Sequence, residues 1–221
     1  MWACDSVADT RTQTPVDVPP SSCHDYDMPL KLVIFDLDGT LLEPSLDFHA
    51  IRAEIGLPPV VPILETMLAL DPEARRRAFA ILDRHEAEAA ARSELMPGAN
   101  ELLAALRRRG IKMAVLTRNS RVSVDAACRR HGLEFDAIST RETHRPKPDP
   151  DGVHDLMRSF GARAGETVVV GDYRFDIEAG RGAGVRTIAL VAEPKPWTKD
   201  ATWVTFSLLE VGRILEGLAD E

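Results

Sequence analysis

Two aspartates one residue apart, Asp36 and Asp38, close the apolar run Leu32-Val33-Ile34-Phe35 and are followed by Gly39-Thr40. On extended backbone, residues two apart project from the same side, so this spacing presents a carboxylate pair to one ligand and suits nucleophilic or acid–base work. A second set of acids, Asp172 and Asp176 in Gly171-Asp172-Tyr173-Arg174-Phe175-Asp176, follows another apolar run, Thr167 to Val170. Four residues apart at a loop-to-helix junction, they fall on one side of a first helical turn. Between these acids lie Thr117-Arg118-Asn119-Ser120, after the run Met113 to Leu116, and Lys147, framed in Arg145-Pro146-Lys147-Pro148-Asp149-Pro150. The prolines impose a stiff extended backbone and leave Lys147 little freedom of position.

Such a gathering of aspartates is self-repelling, by about 4 kcal/mol for two unit charges 4 Å apart at an effective dielectric near 20. A countercharge is therefore required. Hard oxygen donors from two aspartates and a backbone carbonyl, completed by water and phosphate, describe a Mg2+ site. Lys147 adds a positive charge, and Thr117 offers a hydroxyl to a phosphoryl oxygen.

These residues need a scaffold that brings four strand ends together. Short runs rich in β-branched residues and apolar on both faces read as inner strands of a parallel sheet, whose ligands bind at the carboxyl ends. Strands are predicted at Leu32 to Phe35, Met113 to Leu116, Ala137 to Thr140, Thr167 to Val170, Thr187 to Val191 and Trp203 to Phe206, with a closing helix at Leu208 to Leu218. The fold class is α/β, a Rossmann-like parallel sheet interrupted once. From Ser45 to Met96 the sequence is helical throughout. Asp47 is placed to cap a helix over Phe48 to Ile55, a second helix spans Val61 to Leu70, and a third follows Asp71-Pro72. In the third, Ala78, Ile81, Leu82 and Ala89 form the apolar stripe, while Arg75, Arg76, Asp83, Glu86 and Glu88 are assigned to the solvated face. His85, on the apolar side of this helix, is read as structural. The domains expected are a core of residues 30–44 and 97–221 and a small helical cap of residues 45–96.

Other motifs have plainer explanations. Arg107-Arg108-Arg109-Gly110 ends a helix, complementing its dipole and supplying a left-handed cap. Cys128 and His131 share a buried helical stripe. Gly180, Gly182 and Gly184 lie at the end of a helix rather than between a strand and a helix start, so they are not a dinucleotide loop.

The order D-x-D-G-T (Asp36 to Thr40), Thr117, Lys147 and Gly171-Asp172 with Asp176 resembles the haloacid dehalogenase-like hydrolase superfamily, in particular its helical-cap phosphatases such as phosphoglycolate phosphatase. The resemblance covers nearly everything from Met28 onward. It implies that Asp36 is a nucleophile forming an aspartyl-phosphate, and that Asp38 is the general acid and base. Asp36, Asp172 and the carbonyl of Asp38 would hold Mg2+, with Asp176 orienting Lys147 or a metal-bound water. Thr117 and the amides of Arg118 and Asn119 would bind phosphoryl oxygens together with Lys147. An acid at position 38 argues against dehalogenases, and the lack of lysine between Ser45 and Met96 argues against phosphonatases. The expected function is hydrolysis of a small phosphorylated metabolite, with phosphoglycolate among the candidates. The alternatives are a phosphomutase of the β-phosphoglucomutase type and a non-catalytic binding protein on the same fold. Within the cap, His49 and Arg52, three apart on a helix, are candidates to meet the substrate.

Composition narrows the partners. The 221-residue chain carries 27 basic and 35 acidic residues, a formal charge of −8, which leaves no general polyanion surface and excludes nucleic acid as the expected partner. No apolar run approaches the roughly 18 residues of a membrane span. Cys4, Cys23 and Cys128 form no metal or disulfide pattern, and a cytoplasmic location is expected. Residues 1–29, with five aspartates, four prolines and one arginine, read as a disordered extension, and Met28 as an alternative start.

Overall fold

The computed structural model describes residues 29–220. The expected N-terminal extension therefore lies, apart from Pro29, outside the described residues. Six parallel strands form one sheet: β1 (Leu32–Phe35), β2 (Lys112–Leu116), β3 (Ala137–Ser139), β4 (Thr167–Gly171), β5 (Arg186–Leu190) and β6 (Trp203–Thr205), in the spatial order β3-β2-β1-β4-β5-β6. The core helices are α4 (Ala99–Arg108), α5 (Arg121–His131), α6 (Asp151–Phe160), α7 (Arg174–Gly182) and α8 (Leu208–Asp220).

Strand β1 is fully buried because both its faces are covered. Val33 and Phe35 pack into one apolar layer with Leu102, Val124 and Val211, while Leu32 and Ile34 pack into the other with Val153, Leu156 and Ala179. Its neighbours are in step with it: Phe35 pairs with Val115 on β2 and with Val170 on β4. This register sets Asp36, Thr117 and Asp172 at one edge of the sheet, where the strand order reverses about β1 and a crevice opens.

The helical insertion contains α1 (Phe48–Ile55), α2 (Ile63–Leu68) and α3 (Pro72–Arg92), packed around their own apolar cluster of Ile51, Ile63, Leu64, Met67, Ala78 and Leu82. Its two connecting segments run side by side, with Glu43 N–H bonded to Glu94 O at 2.9 Å and Met96 N–H to Leu41 O at 3.0 Å. Asp47 caps α1 through the N–H groups of His49 and Ala50, and Asp71 caps α3. Helix α2 is shorter than the expected Val61 to Leu70. Pro62 disfavours helical backbone at Val61, so α2 begins at Ile63. Among the described residues, no helix is long and apolar enough to cross a membrane.

One expectation is corrected. Glu86 is 2% exposed rather than solvated, because α3 packs along α5 and turns this carboxylate into the joint. The turn after Asp38 closes without the Thr40 side chain. The N–H groups of Leu41 and Leu42 both reach the carbonyl of Leu37 at 2.9 Å, so backbone alone closes the turn, and the buried Thr40 hydroxyl has no partner among the described residues.

Candidate active site

A cavity of about 330 Å³ lies between the carboxyl edge of the sheet and the helical insertion. Its walls include Asp36, Asp38, Thr117, Arg118, Asn119, Lys147, Asp172 and Asp176 from the core, and Arg52 from α1. His49 is not among its lining residues; it is exposed on the N-terminal turn of α1, with its N–H bonded to Asp47. The structure thus separates the two insertion residues that helical spacing had paired.

Each core side chain is held by the element that delivers it. Asp36 leaves β1 with its own N–H bonded to Val170 O at 2.9 Å, which continues the ladder to β4 by one residue. Lys147 is buried, and its Nζ lies 2.7 Å from Asp36 Oδ1 while also bonding Asp176 Oδ1. Burial opposes its charge, but Asp176 and Asp36 together outweigh that cost and hold the ammonium above its ordinary pKa. Asp176 sits in the first turn of α7, where its other oxygen accepts from Tyr173 N–H at 3.1 Å. Room for it comes from Gly171. A Cβ there would stand 2.2 Å from Asp176 Cγ.

Carboxylate oxygens of Asp36, Asp172 and Asp176 lie within 4.8 Å of one another, a set able to hold a metal ion. With one lysine facing three acids, negative charge is in excess. Burial and then the charges of Asp36 and Asp176 push Asp172 up to about 8, and burial lifts Asp176 to about 6 despite Lys147. A hard divalent cation fits this donor set on both chemistry and charge. Asp172 also presses against the turn after β1: a Cβ on Gly39, whose φ is +80°, would fall 2.2 Å from Asp172 Oδ2.

Asp38 stands apart electrostatically from Asp36. Burial, reinforced by the neighbouring charge of Asp36, pushes its carboxyl up to about 6, while the hydrogen bond donated by the Asn119 side-chain amide works the other way. Thr117 is buried at the end of β2, with its hydroxyl accepting from Asn119 N–H at 3.2 Å. The Arg118 side chain reaches outward instead, pairing with both oxygens of Glu65 on α2 at 2.9 Å and lying over the Phe175 ring.

The loop Thr117–Ser120 has anchors that sequence reasoning missed. Glu86 of α3 accepts from Ser120 N–H at 2.9 Å and Ser123 Oγ at 3.3 Å, and it pairs with Arg141, whose side chain is only 5% exposed. Arg141 also donates to Arg118 O and pairs with Asp83. One signal for Glu86 was present. It lies four residues after Leu82 and three before Ala89, on the apolar stripe rather than opposite it. Arg141, in an irregular segment after β3, carries no such signal.

A model of the haloacid dehalogenase-like hydrolase family matches residues 30–184. The chain is 32% identical over 186 residues to N-acetylmuramic acid 6-phosphate phosphatase of Pseudomonas putida, covering 74% of this chain and 83% of that one. It is 28% identical over 187 residues to phosphoglycolate phosphatase of Pseudomonas syringae pv. tomato, covering 72% and 69%. Among solved structures, a hydrolase from Pseudomonas syringae superposes with a TM-score of 0.73 at 22% identity, covering 86% of this chain and 99% of the other.

Proposed function

The chain belongs to the haloacid dehalogenase-like hydrolases and is a phosphoric monoester hydrolase, and from that premise we propose that it is a Mg2+-dependent phosphatase acting on a small phosphorylated metabolite through an aspartyl-phosphate on Asp36. The observation that carries the reading is the inequality of two carboxylates on one loop. Asp36 is paired with the Lys147 ammonium at 2.7 Å, while burial and the charge of Asp36 push the Asp38 carboxyl up to about 6. A nucleophile and a proton donor need opposite protonation states at the outset.

In the first half-reaction an oxygen of Asp36 bonds to phosphorus, the ester P–O bond breaks, and Asp38 gives its proton to the leaving alkoxide. In the second, Asp38 takes a proton from water, the water oxygen bonds to phosphorus, and Asp36 is released with inorganic phosphate. Thr117 Oγ1 and the N–H groups of Arg118 and Asn119 hold phosphoryl oxygens, and Lys147 keeps Asp36 oriented. Asp36, Asp172 and the carbonyl of Asp38 would hold Mg2+, which supplies charge neutralisation between the nucleophile and the phosphoryl group. Asp176 positions Lys147. The insertion of residues 45–96 acts as a cap over this chemistry.

The test is phosphate release from an aryl phosphate and from a panel of phosphorylated metabolites including phosphoglycolate and sugar phosphates, with and without Mg2+. Asp36→Asn is expected to abolish turnover, and a radiolabelled phosphoryl group is expected on the acid-quenched native chain but not on that variant. Turnover that survives Asp36→Asn, or full activity in chelator, overturns the mechanism.

A further inference from the structure

The two ends of the cavity differ in chemistry. Its polar groups cluster at the sheet edge, whereas the insertion contributes apolar side chains, among them Leu46, Val61, Ile63 and Leu82. At the rim the apolar surface continues into solvent: Phe48 is 52% exposed, Val60 91% and Tyr173 49%, and all three line the cavity. Large hydrophobic side chains left open around a preformed cavity gain free energy from any ligand that covers them.

Two arginines on these walls, Arg118 and Arg52, are turned to the protein itself. Arg118 is engaged by Glu65 and by the carbonyl of Lys147. Arg52 donates from Nε to Val61 O at 2.9 Å and from Nη1 to Phe48 O at 3.0 Å. Arg174 lies over the Tyr173 and Phe175 rings. Arg174 is exposed on the wall, and its guanidinium donors have no hydrogen-bond partner among the described residues. The volume is also informative. At about 330 Å³ the cavity falls in the range of about 300–1,000 Å³ typical of sites that bury small organic ligands.

We infer that the ester taken by this site carries a ring-sized leaving group with an apolar face, long enough to reach from Asp36 to the rim at Phe48 and Val60. The inference rests on the placement of the phosphoryl group at Asp36. The apolar face lies against the insertion, the leaving oxygen stays beside Asp38, and the outer edge of the ring covers Phe48, Val60 and Tyr173. A short ester such as phosphoglycolate does not reach the rim and leaves its apolar side chains wet.

The test compares alkyl esters of similar leaving-group basicity, so that binding rather than bond strength separates them. Cyclohexylmethyl phosphate, ethyl phosphate and phosphoglycolate are assayed for kcat/KM with Mg2+ present. The ring ester is expected to exceed the other two by at least about tenfold, the worth of burying two or more methylene groups. In Phe48→Ala and Val60→Ala the ratio of the ring ester to ethyl phosphate is expected to fall several-fold. A ratio within one enzyme is insensitive to how much of it is folded. Phosphoglycolate or ethyl phosphate turned over as well as the ring ester, or an unchanged ratio in both variants, overturns the inference while leaving the phosphatase intact. Absence of turnover for every ester, the aryl phosphate included, overturns both.

Discussion

Arg141 and Glu86 give the sharpest prediction, because their contribution can be isolated by sign as well as size. Replacing Arg141 by Met fills much of the same volume but leaves the Glu86 carboxylate buried with only Ser120 N–H and Ser123 Oγ for partners. Breaking a buried ion pair on one side typically costs about 3–5 kcal/mol. Two remaining donors place this case at the low end, about 3 kcal/mol, which for a chain of this size lowers Tm by about 6–12 °C. Adding Glu86→Gln to Arg141→Met removes the buried charge while keeping an oxygen for Ser120. The double variant is therefore expected to be more stable than Arg141→Met alone, by about 2 kcal/mol. Urea unfolding of the four proteins in the cycle gives the coupling directly. Because Ser120 N–H and Arg118 O anchor the loop carrying Thr117 and Asn119, kcat should also fall about tenfold in Arg141→Met. A cost below about 1 kcal/mol, or simple additivity of the two substitutions, would show that the pair is not the tie described.

Other expectations concern the sheet edge. Gly171→Ala would place a methyl 2.2 Å from Asp176 Cγ, so Asp176 must leave Lys147, and kcat is expected to drop about 100-fold with the fold retained by circular dichroism. Lys147→Met removes the cation between Asp36 and Asp176. It should abolish measurable turnover in a phosphate-release assay and lower Tm as well, since both acids lose their partner. The raised carboxyl of Asp172 sets a pH dependence. With its folded value near 8 and an ordinary value of 3.8, the folded state holds a proton that the unfolded chain releases, so stability of the metal-free protein should fall as pH rises from about 4 to about 8. Mg2+ supplies the same countercharge, so its stabilising shift in a thermal melt should be larger at pH 8 than at pH 5. Equal shifts at the two pH values would contradict that electrostatic account.

What could be read from the chain follows from how local each signal is. Val33 and Phe35 alternate with Leu32 and Ile34 between two apolar layers, so β1 announced itself as an inner strand, and Asp36 as its functional end. Asp47 and Asp71 declare helix starts through side-chain bonds to N–H groups two and three residues on. Lys147 and Asp176 were legible as types in the right order, although their contact spans 29 residues and depends on the β1–β4 pairing. His49 and Arg52 show the limit of spacing arguments. Helical neighbours need not share a ligand, because the cavity lies along only part of the α1 surface.

Glu86 marks the other boundary. A charge on an apolar stripe can be satisfied only by groups from elsewhere in the fold, and Ser120, Ser123 and Arg141 come from two segments that β2 and β3 bring beneath α3. The consequence reaches the chemistry. The insertion touches the phosphate-side loop at two charged joints, Glu86 with Ser120 and Glu65 with Arg118, and the apolar wall of the cavity hangs between them. Helices that carry the leaving-group wall are thus tied to the loop that carries Thr117 and Asn119. Substitutions at these joints should change substrate preference and turnover together, whereas rim substitutions at Val60 should change preference alone.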